Sequence, residues 1–138
     1  MGRVINPESA GKERNQLNRA VVLAIRELMK QNTVDDTSRD LAAFISLALL
    51  RISETIDTSV EAWEKRDYWI KADRFRMEWA WSGRLGHDMR QAVLAGDWAM
   101  VAMTAAQAAQ KLMNVKVPIR HRLGTPWVGA WQELQKMG

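Results

Sequence analysis

The residues best suited to acid–base or metal chemistry are the two histidines, His87 and His121. Neither stands three residues after a glutamate, which is the spacing found in helical bundles that bind two iron ions. His87 is followed directly by Asp88, and adjacent residues of a helix point in different directions. The chain has no cysteine, which excludes a thiol nucleophile, thiolate metal ligands and disulfides. We therefore predict no metal site.

Glu61 and Glu64 are three residues apart, so on a helix they could share a Mg²⁺ ion with further acids. Helical nucleotide pyrophosphohydrolases carry such a Glu-x-x-Glu followed by a later Glu-x-x-Asp. The later acid here would be Glu78, but Trp81 stands where the aspartate should be. The chain also lacks the glycine-rich phosphate loops and the serine nucleophile elbow. We expect neither catalytic residues nor a cofactor.

The stretch Trp63 to Trp81, WEKRDYWIKADRFRMEWAW, holds four of the seven tryptophans and five lysines or arginines. Such a mixture suits either base stacking beside phosphates or the core of a helical domain. Read as one helix, it has two apolar stripes that we expect to be buried. The first stripe contains Trp63, Ile70, Met77, Trp81 and Leu85, and the second contains Tyr68, Ala72, Phe75 and Trp79.

Two polar arcs separate these stripes. One carries Glu64 and two pairs at i,i+4 spacing, Asp67–Lys71 and Arg74–Glu78, which predict a solvated face that neutralises itself. The other arc is basic, with Asp73 as its one acid. Its cationic members are Lys65, Arg66, Arg76, Arg84 and His87.

Trp69 lies in the middle of this basic arc. Three roles fit it: covering a neighbouring loop or the C-terminal arm, anchoring a protein partner, or stacking on a nucleic-acid base. Its surroundings of arginine are typical of hot spots in protein interfaces. Its exposure decides between the first role and the other two.

The C-terminal segment KVPIRHRLGTPWVGAWQ is the second candidate for binding. No acid occurs between Asp97 and Glu133. Arg120 and Arg122 alternate, so in an extended segment they would face the same way. The segment is either an arm docked on the domain by its tryptophans or a surface that binds a partner or phosphates.

The elements that must position these residues are helices. Asn6 and Pro7 predict the start of a first helix that ends near Asn32. A capping box at Thr37 and Asp40 opens a second helix, whose segment LAAFISLALL should be central and buried.

A second capping box, Thr58 with Glu61, predicts the start of the third and longest helix. Gly83 and Gly86 mark either a kink in it or a close contact with another helix. A stop at Gly96 and a cap at Asp97 lead into a fourth helix, WAMVAMTAAQAAQKLM. We predict that one stripe of that helix admits a close neighbour; it consists of Ala102, Ala105, Ala106 and Ala109.

Thr125 and Pro126 predict the start of a short last helix, on which Trp127, Ala130, Trp131 and Leu134 share a face. No segment shows the alternation of a strand. The predicted fold is all-α: one helical-bundle domain over residues 1–138, with about four main helices. Residues 114–138 form a C-terminal arm and short helix that pack on the bundle.

Length and composition limit the number of domains and the classes of partner. The 138 residues suit one domain, and the net charge of +4 with a pI near 9.8 is a weak nucleic-acid signature. The longest apolar run, ten residues from Leu41, is too short to span a membrane. We see no signal peptide and expect a cytoplasmic protein without a membrane partner.

With no complete catalytic set, the sequence predicts a non-enzymatic helical interaction module. Such a module would self-associate as a homo-oligomer or serve as a small subunit of a larger assembly. The alternative is a protein that binds the nucleic-acid backbone. Its contacts would come from the basic arc and the arm, and the same residues with Trp69 would serve a protein partner: Lys65, Arg66, Trp69, Arg76, Arg84, His87, Arg120 and Arg122. An enzyme with an unfamiliar site is a third hypothesis, which a buried cluster of acids would support.

Overall fold

A computed structural model describes residues 7–137 of the chain. Five helices and no strand occur in this range, so the all-α prediction is confirmed. The helices are α1 (Pro7–Met29), α2 (Asp36–Lys65), α3 (Trp69–Ala95), α4 (Trp98–Lys111) and α5 (Ala130–Lys136). The predicted N-cap Asn6 lies outside the described residues.

The central element is α2, which packs against α1, α3 and α5. Its apolar segment is buried on several sides, as predicted for LAAFISLALL. Leu41, Ile45, Leu49 and Ile52 are wholly shielded from solvent. Burial of each such side chain contributes about 1.5–3 kcal/mol, so this helix organises the core.

A bidentate ion pair joins α1 to α2. Arg51 donates to both carboxylate oxygens of Glu13, at 2.6 and 2.8 Å, and also to Glu54 at 2.6 Å. These hydrogen bonds raise the pKa of Arg51. Paired hydrogen bonds of this kind demand a fixed geometry, so the pair sets the alignment of the two helices.

The predicted capping box at Thr37 and Asp40 is wrong. Asp35 is the N-cap of α2, and its side chain accepts a hydrogen bond from the Ser38 N–H at 2.9 Å. Thr37 lies one residue inside the helix. The Asp40 carboxylate instead accepts a hydrogen bond at the start of α5.

The predicted start of a helix at Thr58 is also wrong. Residue 58 lies inside α2, where its hydroxyl donates to the Glu54 carbonyl one turn earlier. The chain turns after Lys65, and Asp67 adopts φ +61° within this turn. Aspartate tolerates this left-handed conformation better than most residues. The turn therefore divides the tryptophan-rich stretch between two antiparallel helices.

The two glycines of α3 mark a close helix contact and no break. A Cβ on Gly86 would lie 2.9 Å from Leu50 Cγ, and one on Gly83 would lie 3.0 Å from Ser53 Oγ. The Ser46 hydroxyl of α2 donates to the Gly86 carbonyl at 2.8 Å. Here α2 and α3 approach so closely that a side chain at residue 86 would collide with its neighbour.

Helix α4 begins as predicted, but its buried face is different. Gly96 is left-handed, and Asp97 accepts a hydrogen bond from the Met100 N–H at 3.1 Å. Ala105 is buried and Ala109 packs on the core, but Ala102 and Ala106 are exposed, so the predicted alanine stripe is correct only in part. The buried face instead consists of Val101, Thr104, Ala105 and Ala108.

The C-terminal segment is docked on the bundle. Arg26 of α1 donates to the Val117 carbonyl at 2.8 Å, and Asp40 accepts from the Trp131 N–H at 3.0 Å. Trp127 and Trp131 are half-buried against the main core. The helix itself begins at Ala130, later than the predicted Thr125–Pro126 start. None of the helices in the described range is long and apolar enough to cross a membrane.

Candidate functional site

An open groove of about 1000 Å³ lies at the end of the bundle where α2 turns into α3. We call it the aromatic groove. Four of its lining residues are Trp63, Tyr68, Trp69 and Phe75. It is formed because the turn at residues 66–68 brings Trp63, the one tryptophan of α2, against the first turns of α3.

The floor of the aromatic groove is packed on the core. The rings of Trp63 and Phe75 lie 4.8 Å apart at 77°, the edge-to-face arrangement that aromatic pairs prefer. Both residues pack on a small second core formed by Ile56, Val60 and Ala72. Trp63 is therefore a core residue, as predicted, but on α2 and not on α3.

The rim of the groove exposes large apolar side chains. Trp69 and Tyr68 are each 54% exposed, and Ile70 is 72% exposed. Met77 of α3, which does not line the groove, is 77% exposed. Trp69 therefore does not cover a loop or the arm, and the prediction of Tyr68, Ile70 and Met77 as core residues is wrong.

Four charged side chains of the groove make no ion pair with any described residue: Asp67, Lys71, Arg74 and Glu78. The predicted pairs Asp67–Lys71 and Arg74–Glu78 are absent from the described structure. The Lys71 ammonium instead lies 4.6 Å from the centre of the Trp63 ring, a cation–π contact. The face that carries these four residues is therefore not self-neutralised as predicted. Its acidic and its basic side chains are both available to contact a partner.

The predicted basic arc is partly neutralised. Arg76 contacts Asp73 at 2.7 Å and Glu64 at 3.1 Å, and the hydrogen bond to Glu64 is the largest cause of its raised pKa. Lys65 lies 3.7 Å from Glu61. These two cations are therefore less available for phosphates than the sequence predicted.

The remaining predicted contacts of the arc are Arg66, Arg84 and His87. All three are exposed and make no ion pair within residues 8–137. Arg66 belongs to the turn between α2 and α3, so it does not continue the helical face of the other two. The turn breaks the single arc on which the sequence interpretation relied.

The arm carries the last predicted contacts, Arg120 and Arg122. Both are exposed, and neither forms an ion pair in the described part of the chain. The His121 ring accepts a hydrogen bond through Nδ1 from the Leu123 N–H at 3.2 Å. The arm docks near the start of α2, whereas the aromatic groove lies at its end. The two sets of predicted contacts therefore form two separate surfaces.

Arg14 is a residue of interest that the sequence interpretation missed. Its guanidinium lies 4.9 Å from the centre of the Phe75 ring and donates to the Thr55 hydroxyl and carbonyl, each at 3.3 Å. Burial of the guanidinium lowers the pKa of Arg14. It supports the groove floor from the α1 side. No local pattern signals this contact, because it joins three helices that are distant in sequence.

No three histidine or carboxylate side chains of the described residues lie together as a metal site. The two glutamates with Mg²⁺-site spacing have other partners: Glu61 lies beside Lys65, and Glu64 accepts from Arg76. No family model matches the chain, and neither a curated protein nor a solved structure matches it.

Proposed function

We propose that this protein is a non-enzymatic interaction module that binds a protein partner through the aromatic groove. The observation that carries the proposal is the exposure of Trp69 and Ile70 beside a packed aromatic floor. Contiguous exposed apolar surface of this kind is typical of protein-binding sites. Tryptophan, tyrosine and arginine are also the residues most enriched in interface hot spots.

The architecture of the groove supports binding at low entropic cost. The floor is fixed by helix packing and by the ring contact between Trp63 and Phe75. A preformed site spends less binding energy on ordering its own side chains. The charged residues at the sides of the groove would orient a partner, while the aromatic rings would supply buried area.

A photo-crosslinking experiment tests this proposal. A photoreactive phenylalanine analogue replaces Ile70 in one variant and Gln91 in a control, both exposed on α3. Crosslinking is carried out in cells that naturally produce the protein. We expect adducts of defined mass from position 70 only, and we expect Trp69→Ala to reduce their yield. Equal adducts at both positions, or none at position 70, would contradict the proposal.

The alternative function, binding to the nucleic-acid backbone, is supported by Arg84, Arg120 and Arg122. All three are exposed without an ion pair among the described residues. It is less well supported than the protein-binding proposal, because the aromatic groove carries equal numbers of acids and bases. Phosphate-binding grooves instead carry an excess of positive charge.

A further inference from the structure

The groove has the shape features of a self-complementary surface. Its floor residues, Trp63 and Phe75, are partly buried, while Trp69 and Ile70 at its rim are exposed. In a two-fold dimer the same patch of both copies meets, so one patch must offer both a recess and a projection. We propose that the partner of the aromatic groove is a second copy of this chain, bound groove to groove about a two-fold axis. This inference rests on the proposed function.

The charges of the groove fit the same arrangement. Two acids, Asp67 and Glu78, and two bases, Lys71 and Arg74, line it without an ion pair to any described residue. When two α3 helices cross antiparallel near residues 74 and 75, Lys71 of each copy faces Glu78 of the other. The two-fold axis makes this contact twice.

Charge balance also favours a second copy over an acidic or basic partner. The chain carries +4 overall, so two copies repel each other at long range. The groove itself sums to zero over its two acids and two bases, so its net charge adds nothing to this long-range repulsion. A partner of one sign would meet a like charge at two of the four positions.

A pair of charge variants tests the inference. The acidic variant, Lys71→Glu with Arg74→Glu, leaves four negative charges in the groove. The basic variant, Asp67→Asn with Glu78→Lys, leaves three positive charges and avoids a long side chain at the left-handed residue 67. We expect the wild type to dimerise in sedimentation velocity, and each variant alone to have a dissociation constant raised by about tenfold or more. An equimolar mixture of the two variants should dimerise again.

A control with the same change in net charge as the acidic variant is Arg84→Glu with Lys116→Glu, both exposed outside the groove. It should dimerise like the wild type, and circular dichroism checks that every variant is folded. A monomeric wild type, or a mixture that stays monomeric while both variants are folded, overturns the inference. If residue 70 then crosslinks to a different protein, the proposed function stands without self-association. If the wild type dimerises while both variants do so equally well, the dimer uses another face and the inference also fails.

Discussion

The carboxylate of Asp40 in α2 accepts a hydrogen bond from the backbone N–H of Trp131, at 3.0 Å, and another from Gly129, at 3.3 Å. The first N–H groups of a helix have no partner within the helix, and a negative charge is favourable there. Asp40 therefore caps α5 from a distant part of the chain. This contact and the half-buried Trp131 side chain hold the end of the chain on the bundle.

The first prediction concerns this cap. Replacing Asp40 by alanine should lower the free energy of unfolding by about 1–2 kcal/mol, the usual cost of a lost N-cap. Hydrogen exchange should become faster in residues 126–137 and stay unchanged in α3. Asp57→Ala, an exposed change elsewhere on α2, is the control. Unchanged exchange in α5 of Asp40→Ala would show that the cap does not hold this helix.

The second prediction concerns the close approach of α2 and α3. Gly86→Ala places a Cβ 2.9 Å from Leu50 Cγ and 3.1 Å from the Leu50 backbone nitrogen. We expect a loss of about 1–3 kcal/mol in urea denaturation, as for other overpacked sites. Gly11→Ala is the matched control, because its nearest neighbour is the end of Arg14 at 3.8 Å. The Gly11→Ala change should raise the free energy of unfolding by about 0.5–1 kcal/mol through helix propensity. A rise in the free energy of unfolding for both variants would contradict the tight contact at Gly86.

The all-α architecture and most helix positions could be predicted from the sequence, because apolar periodicity and terminal signals are local. Gly96 ends α3 in the left-handed conformation and Asp97 caps α4, as the sequence predicts for a glycine and an aspartate at these positions. The capping box at Thr58 failed since the same residues are compatible with a helix interior, and burial of Ile56 and Val60 favours continuing α2. The true turn at Asp67 has no glycine or proline to signal it.

The candidate site can be predicted only in part from the sequence, because no local signal marks the turn at residues 66–68. The sequence singles out Trp69, and in the structure this residue is exposed and lines the groove. Helical spacing does not predict the partners of the charged residues around it, because that spacing applies to one continuous helix and the chain turns at residues 66–68. Once that turn is placed, Lys71 reaches Trp63 and Arg76 reaches Glu64, and neither contact follows from helical spacing within one helix.

The third prediction separates surface tryptophan from core tryptophan. Trp69 is 54% exposed, whereas Trp81 on the same helix is 6% exposed and stacks on Trp79 at 5.6 Å. Trp81→Ala should destabilise the fold by about 3–5 kcal/mol. Trp69→Ala should change the stability of the monomer by less than about 0.5 kcal/mol. Thermal denaturation at low protein concentration measures both, and similar losses would place Trp69 in the core.

The fourth prediction concerns pH and the N-cap of α2. Hydrogen bonds from Ser38 hold the pKa of Asp35 below its ordinary value of 3.8. A depressed pKa in the folded state adds stability above pH 3.8 that is lost as the pH falls through the folded pKa. Asp35→Asn keeps an acceptor without the charge, so the wild type should exceed it in stability at pH 7 and lose this advantage in acid. Urea denaturation at both pH values measures the difference, and an advantage that persists in acid would contradict it.

The fifth prediction tests whether the exposed arginines bind nucleic acid. Four of the predicted arginines have no ion pair among the described residues, but they are divided between the α2–α3 turn, α3 and the arm: Arg66, Arg84, Arg120 and Arg122. Phosphate binding gains strength from several cations along one track, and each contact steepens the dependence on salt. We therefore expect a labelled oligonucleotide to show no anisotropy change with micromolar protein at low salt. Binding that weakens by orders of magnitude between about 50 and 200 mM salt, and that Arg120→Glu with Arg122→Glu abolishes, would favour the nucleic-acid function instead.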